Sequence, residues 1–304
     1  MCPKLLIICG PTATGKTQLA LDLAKEFSGE LISADSRQVY IGLDIISGKD
    51  IPSDFHKEIS DLVWHDRKLT YYTNGQTRIW LLDIVHPTED FNVSFWKECA
   101  DLVAADILSR HKLPIIIGGT GLYIKTFTHS LSDISIPRNL ELRQKIANLS
   151  VNDLFNYLKN LNPAKAASLN NSDSKNPRRL IRYIEISQQK EVPSPEIRRG
   201  DRGDVDKLIL GLTAPLPELK SRISTRVASR LLSGAKTEAN ALPKNFPVCG
   251  VKALQSDNPA RNWVQEENQY ARRQLTWFAK QPGIKWLKNP SEADKLVRDW
   301  YNSS

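Results

Sequence analysis

The residues nearest to chemistry stand within the first forty positions. Gly10-Pro11-Thr12-Ala13-Thr14-Gly15-Lys16-Thr17 fits the pattern G-x-x-x-x-G-K-[ST]. Glycines let the backbone curl so that successive amides face one anion, and a helix starting at the loop adds its positive end. Lys16 neutralises charge and the Thr17 hydroxyl can ligate Mg2+, so the loop is a cradle for a diphosphate group, with group transfer as the matching chemistry. The pattern reports phosphate and not whose phosphate it is. A second feature is Asp35, at the end of the run Glu30-Leu31-Ile32-Ser33-Ala34 and followed by Ser36-Arg37-Gln38. A carboxylate beside a phosphate loop is repelled unless it holds a metal or accepts a proton, although capping the next turn is a structural use of the same residue.

Both features need a sheet to bring them together. Lys4–Cys9, Glu30–Ala34, Ile79–Val85, Leu113–Ile117 and Lys207–Leu212 are short apolar runs of the kind that form buried parallel strands. Between the first two, Leu19, Ala20, Leu23, Ala24 and Phe27 recur at helical spacing, which predicts a strand, loop, helix, strand unit. Further helices are expected near Ser94–His111, Leu216–Leu232 and Trp263–Lys280. The fold class is therefore α/β, a parallel sheet containing the phosphate loop and flanked by helices. In such sheets ligands lie at the carboxyl ends of the strands, where the loop and Asp35 both fall. From Pro137 the pattern turns helical without strand-like runs, until a Pro/Arg/Gly-rich stretch, Val192 to Gly203, that reads as a linker. This divides the chain into a core of 1–136 with 203–304 and a helical insertion of 137–202.

The chain has 304 residues and a net charge of +8, of which the segment Arg138 to Arg202 supplies +6 from 13 basic and 7 acidic residues. A basic insertion suits a nucleic-acid partner, and a solvated basic face is the alternative. Cys2, Cys9, Cys99 and Cys249 have no metal-binding spacing and read as buried reduced thiols. The apolar run Leu5 to Cys9 is too short for a signal-peptide core and no stretch reaches membrane-spanning length, so the expectation is a cytoplasmic chain with no membrane partner.

The phosphate loop, the run Ser33-Ala34-Asp35-Ser36-Arg37-Gln38-Val39-Tyr40 and Gly118-Gly119-Thr120-Gly121-Leu122-Tyr123 together closely resemble the tRNA dimethylallyltransferase family. Asn176-Pro177-Arg178-Arg179-Leu180-Ile181-Arg182 and Arg272-Arg273-Gln274-Leu275-Thr276-Trp277-Phe278 extend the likeness across nearly the whole chain. The resemblance implies transfer of a dimethylallyl group from dimethylallyl diphosphate to the exocyclic amine of the adenosine adjoining the anticodon in tRNA, with Mg2+ and a monomeric enzyme. It makes Asp35 the base, with Lys16 and Thr17 as its catalytic companions at the departing diphosphate. It assigns tRNA contact to Asp35, Ser36, Arg37, Gln38, Thr120, Arg143, Arg178, Arg179, Leu180, Ile181, Arg182 and the stretch Val248, Cys249, Gly250, Val251, Lys252 and Ala253. Arg222 and Arg226, four apart on one helix, close a positive ring over the diphosphate or lie on a solvated face. Trp277 and Phe278 read as core.

Thr14 stands where the family more often has serine, a change that keeps the hydroxyl, and three departures are larger. Ile79-Trp80 stands where paired histidines precede Asp83, after an unusual polar and aromatic stretch from Trp64 to Gln76. Ile46-Ser47-Gly48 replaces Gly-Thr-Ala, and Val251 replaces a tyrosine. Three other readings compete: a P-loop kinase or NTPase using Asp83 for magnesium, a prenyltransferase acting on free adenine nucleotides, and a non-catalytic RNA-binding module.

Overall fold

The computed structural model describes residues 2–129, 132–134, 136–188, 205–243, 246–287 and 289–303. They fall into two compact units, one within 1–129 and 202–304 and the other within 130–201. The linker expected at Val192 to Gly203 lies outside the described residues.

The first unit is built on eight strands: β1 (Lys4–Cys9), β2 (Gly29–Ser33), β3 (His56–Trp64), β4 (Arg67–Thr73), β5 (Arg78–Trp80), β6 (Leu113–Gly118), β7 (Asp206–Leu212) and β8 (Lys285–Leu287). Their order is β3-β4-β5-β2-β6-β1-β7-β8. The six from β5 to β8 are parallel, as the apolar runs of β1, β2, β6 and β7 lead one to expect, whereas β4 runs antiparallel to β5 and to β3. The sheet is therefore mixed. Its antiparallel end is the polar and aromatic stretch, folded as a hairpin that turns at His65 and Asp66. Leu69, Tyr71 and Thr73 alternate inward along β4, and the Tyr71 ring packs 4.7 Å from Trp80. Trp80 also donates its indole N–H to Glu30, at 2.9 Å. The hairpin and the Trp80 departure are thus one packing unit. The run expected as a strand to Val85 ends at Trp80, because Leu81 and Asp83 adopt positive φ.

Alternation along β1 feeds two cores. Leu5, Ile7 and Cys9 meet the helices Val93–Ser109 and Gly121–Thr128, while Leu6 and Ile8 meet Lys16–Glu26 and Glu292–Asn302. A third apolar cluster joins the helices Leu216–Leu232, Ala235–Asn240, Val251–Leu254 and Pro259–Phe278. Of the cysteines, Cys9 and Cys99 are buried and Cys249 is partly so, but Cys2 is exposed, contrary to expectation, because it precedes β1. No helix among the described residues is long and apolar enough to cross a membrane.

The second unit is helical, with Leu142, Ile146, Leu154, Leu158, Ala166, Leu180 and Ile184 as its core. Its short helices are begun by side chains: Asn139, Ser150, Asn162 and Asn170 each accept amide hydrogen bonds from the first turn.

Candidate active site

Because β2, β6 and β1 are adjacent and parallel, three loops leave the same edge side by side. They are Gly10–Thr17 after β1, Asp35–Gln38 after β2, and Gly118–Thr120 after β6. The glycines permit this proximity. A side chain at Gly10 would meet the Leu212 carbonyl at 2.1 Å, and one at Gly118 the Ala34 carbonyl at 2.2 Å.

The helix Lys16–Glu26 starts at Gly15, which has φ +83, no side-chain cap and no acidic residue in its first turn. Its first amides have no intrahelical acceptor, so an anion is their natural partner. Lys16 Nζ curls over the loop to the Pro11 carbonyl at 2.5 Å, and the Thr14 hydroxyl donates to the same carbonyl at 2.9 Å. Burial and the neighbouring Arg226 draw the Lys16 ammonium down to about 8, although Asp35 opposes them. Thr17 presents an exposed hydroxyl at the head of the helix.

Two arginines of the helix Leu216–Leu232 reach this loop. Arg222 donates to the Ala13 carbonyl at 3.2 Å and pairs with Glu218. Arg226 donates to the Thr12 hydroxyl at 3.0 Å and pairs with Asp50. Of the two readings open in the sequence, the geometry favours the ring around the loop over the solvated face.

Asp35 is buried, and its carboxylate accepts the Arg37 amide at 2.9 Å and the Arg37 guanidinium at 3.3 and 3.4 Å. Burial alone would raise its pKa. Arg37, through charge and these hydrogen bonds, and Lys16 outweigh burial and hold the carboxyl below the usual range. Arg37 is itself enclosed, donating to Glu267 at 2.9 Å and lying 4.5 Å over the Tyr270 ring. Its guanidinium is turned inward, between the carboxylates of Asp35 and Glu267. Ser36 and Gln38 remain partly open. The Thr120 hydroxyl accepts the Ser36 amide at 3.0 Å, and Gln38 is held between Ser33 and the Gly48 carbonyl, both at 2.8 Å.

The long helix Pro259–Phe278 supplies Gln274, which lies in a family-like block but had no assigned role, and Glu267, which no motif singled out. Gln274 accepts the Thr12 amide and donates to the Gly119 carbonyl, each at 2.9 Å, so one amide side chain ties the phosphate loop to the loop after β6. Glu267 and Gln274 share the helix's buried stripe with Ala271 and Phe278. Their periodicity, applied to polar residues as well, is the signal that identifies them. Phe278 is core as expected, and the partly buried Trp277 packs where Gly121 leaves room for its ring.

The remaining residues expected to contact tRNA divide sharply in their surroundings. In the helical unit Glu185 is wholly enclosed and receives Arg143 at 2.6 and 3.0 Å and Arg182 at 3.2 Å. Arg182 also donates to the carbonyls of Asp133 and Ile136, both at 2.7 Å. These two arginines brace the unit. Arg179 pairs with Asp173, whereas Arg178 is exposed with no ion-pair partner among the described residues. Leu180 is fully buried in the unit's core, and the partly buried Ile181 packs against it. In the other stretch Val248, Gly250, Val251 and Ala253 are likewise enclosed by packing, Cys249 is partly so, and Lys252 is the exposed member. Val251 fills apolar core where the family has a tyrosine.

The kinase reading loses its magnesium aspartate. The strand beside β1 on this side is β6, which ends in Gly118, while Asp83 follows β5 two strands further out. The Asp83 carboxylate is occupied by the buried Lys49 and by the Tyr72 hydroxyl, the latter at 2.6 Å.

The IPP transferase family profile matches residues 67–281 and the isopentenyl transferase profile matches residues 3–72. The chain is 32% identical to tRNA dimethylallyltransferase 1 of Geotalea uraniireducens over 97% of each protein, and 37% identical to tRNA dimethylallyltransferase 2 of Treponema denticola over 79% of this chain and 73% of that one. Among solved structures it resembles the tRNA isopentenylpyrophosphate transferase of Bacillus halodurans, with a TM-score of 0.62, 27% identity and coverage of 98% and 96%. A eukaryotic dimethylallyltransferase acting on tRNA shares the fold, with a TM-score of 0.75 at 22% identity, over 98% of this chain and 79% of that one. A phosphate loop, a buried aspartate and the loop after β6 on one sheet edge, joined to this likeness over almost the full length, place the chain in the tRNA dimethylallyltransferase family, whose members are prenyl-transferring enzymes.

Proposed function

We propose that this chain transfers the dimethylallyl group of dimethylallyl diphosphate to the exocyclic amine of the adenosine adjoining the anticodon in tRNA, releasing diphosphate. The observation that carries the reading is the placement of Asp35 beside an uncapped phosphate loop ringed by Lys16, Arg222 and Arg226.

In the reaction the amine nitrogen attacks the allylic carbon, and the carbon–oxygen bond breaks with its electron pair leaving on the diphosphate. Negative charge grows where the loop amides, Lys16 and the two arginines converge, so their attraction is stronger in the transition state than before it. Asp35 accepts the proton lost from nitrogen. A carboxylate held below its usual pKa is a weak base but fully ionised at neutral pH, and nitrogen becomes strongly acidic as its new bond forms. Arg37 fixes the carboxylate's direction, and Gln274 fixes the spacing between the loops. The exposed Thr17 at the head of the helix would be a protein ligand for a Mg2+ ion bound with the diphosphate. Such an ion, when bound, neutralises charge on the diphosphate.

On the acceptor side, exposed Arg178 and Lys252 support contact with tRNA phosphates. The test is mass analysis of unmodified tRNA after incubation with dimethylallyl diphosphate and Mg2+, with a free adenine nucleotide as competing acceptor and ATP replacing the prenyl donor in a parallel reaction. The expected result is gain of one dimethylallyl group on tRNA alone. Prenylation of the nucleotide in preference to tRNA, or phosphorylation from ATP, would overturn the reading.

A further inference from the structure

The helix that carries Arg222 and Arg226 continues the same spacing to Arg230. Four residues beyond Arg226, this third guanidinium lies on the same helical face, but it is enclosed, with 7% of its surface exposed. It packs directly on Gly48. A side chain there would fall 1.4 Å from Arg230 Nη2 and 2.7 Å from Arg226 Nη2, so Ile46-Ser47-Gly48 makes room for both arginines. Gly48 holds φ +64, and its carbonyl accepts from Arg226 at 3.4 Å and from Gln38 at 2.8 Å. Two guanidinium groups thus meet at one glycine, and the carboxylate between them is Asp50, half exposed, which pairs with Arg226 and lies 3.5 Å from Arg230. Arg230 Nη2 is buried and makes no hydrogen bond. Burial and the like charge of Arg226 draw its pKa down to about 10, against the opposing pull of Asp50. A buried, under-bonded arginine beside another arginine is unfavourable for folding, and an incoming anion would relieve it.

We propose that Arg230 is a third guanidinium ligand for the diphosphate, and that Asp50 is a displaceable counter-ion that holds the Arg226/Arg230 pair until the diphosphate replaces it. The proposal rests on the loop being the diphosphate site. It extends the positive ring inward from Arg226, which already touches the Thr12 hydroxyl of that loop. Charge balance gives Asp50 its role: its carboxylate supplies the arginines with the kind of oxygen a phosphate would supply, from a position solvent can reach.

The probe is inorganic pyrophosphate with Mg2+, titrated calorimetrically against the full chain and its Arg230→Met, Arg230→Lys, Asp50→Asn and Arg226→Ala variants, with thermal unfolding of each. Arg230→Met should weaken pyrophosphate binding by about tenfold, the scale of one charge-assisted contact, while Tm stays level or rises. Arg230→Lys should recover part of the affinity. Asp50→Asn should tighten binding by roughly threefold at low salt, because the internal competitor is gone. Parental affinity in Arg230→Met, with or without a fall in Tm, would make Arg230 a structural cation and overturn the assignment. An effect on tRNA half-saturation alone would move Arg230 to the acceptor side and overturn it too. Weakened or unchanged binding in Asp50→Asn would overturn the counter-ion role. If Arg226→Ala also bound pyrophosphate as the parent does, the diphosphate assignment of the loop itself would be what fails.

Discussion

Strand β2 carries a buried carboxylate near its start, Glu30, and a second lies two residues beyond its end, Asp35. Glu30 receives both terminal nitrogens of Arg110, the ammonium of Lys112 and the indole of Trp80, and it has no exposed surface. Burial opposes its ionisation, yet Arg110, Trp80 and Lys112 together bring its pKa down to about 2. Asp35 shares its one close cation, Arg37, with Glu267, while Lys16 has no carboxylate at ion-pair distance among the described residues and Arg230 keeps a buried donor unbonded. One end of the sheet is electrostatically closed. The other retains a positive surplus that a substrate anion can complete, and it lowers stability until that happens.

The comparison breaks most visibly if the two carboxylates are exchanged in effect. Asp35→Asn should cut single-turnover transfer per folded molecule by roughly 10²–10⁴, since a proton acceptor is lost, while lowering Tm less than the Glu30 change does, because Arg37 keeps Glu267. Glu30→Gln should do the reverse. It leaves Arg110 and Lys112 around a neutral group and should cost about 3 kcal/mol in urea unfolding, with the transfer rate per folded molecule unchanged. A stable Glu30→Gln protein, or one specifically impaired in transfer, would dissolve the distinction.

Titration sharpens it further. The folded pKa of Glu30, about 2, lies below the ordinary 4.5, so the native state binds fewer protons in that interval and loses stability as pH falls from about 4.5 towards 2. Lys16 behaves oppositely. Its folded pKa of about 8 lies below the ordinary 10.5, so the unfolded chain binds more protons between them and stability contributed there rises with pH. Unfolding followed from pH 8 to 10 should show this rise in the parent and not in Lys16→Met. An identical slope in both proteins would place the ammonium in solvent.

The smallest expected effect concerns the helical unit. Arg178→Ala should raise the tRNA half-saturation concentration a few-fold and make its salt slope shallower by about one. Arg182→Ala should instead lower the unit's stability, because Glu185 loses a partner. Equal salt slopes in Arg178→Ala and the parent would return Arg178 to a solvated surface.

What the sequence displayed openly was everything with a short period. The five parallel strands, the phosphate loop and the helix Leu216–Leu232 follow from apolar runs and a motif. The hairpin was not read from the sequence: Leu69, Tyr71 and Thr73 alternate inward, but its polar outer face obscured the period. Strand β8 has three residues, too few for any pattern. Two of the site's inner supports stayed hidden for a different reason: Glu267 and Arg230 are buried polar residues, and hydropathy places such residues outside. Their positions become intelligible once helical spacing is followed regardless of polarity. The pairing of Arg143 and Arg182 with Glu185 was hidden in the same way, because a basic side chain on a helix gives no sign that an enclosed carboxylate awaits it.

The bridge formed by Gln274 carries a consequence for synthesis. It joins Thr12 to a residue 262 positions later, Arg37 and Glu267 are 230 apart, and β1 acquires its neighbour β7 only from Asp206 onward. At translation rates of about 5–20 residues per second, the phosphate loop therefore waits roughly 13–50 s after it is made for the side chain that sets its spacing. Until β7 is made, one edge of an almost wholly apolar central strand is unpaired. The ribosome thus releases this protein with its motif made first and its site finished last, so a chain truncated before the helix Pro259–Phe278 would carry every residue of the phosphate loop and no competent centre.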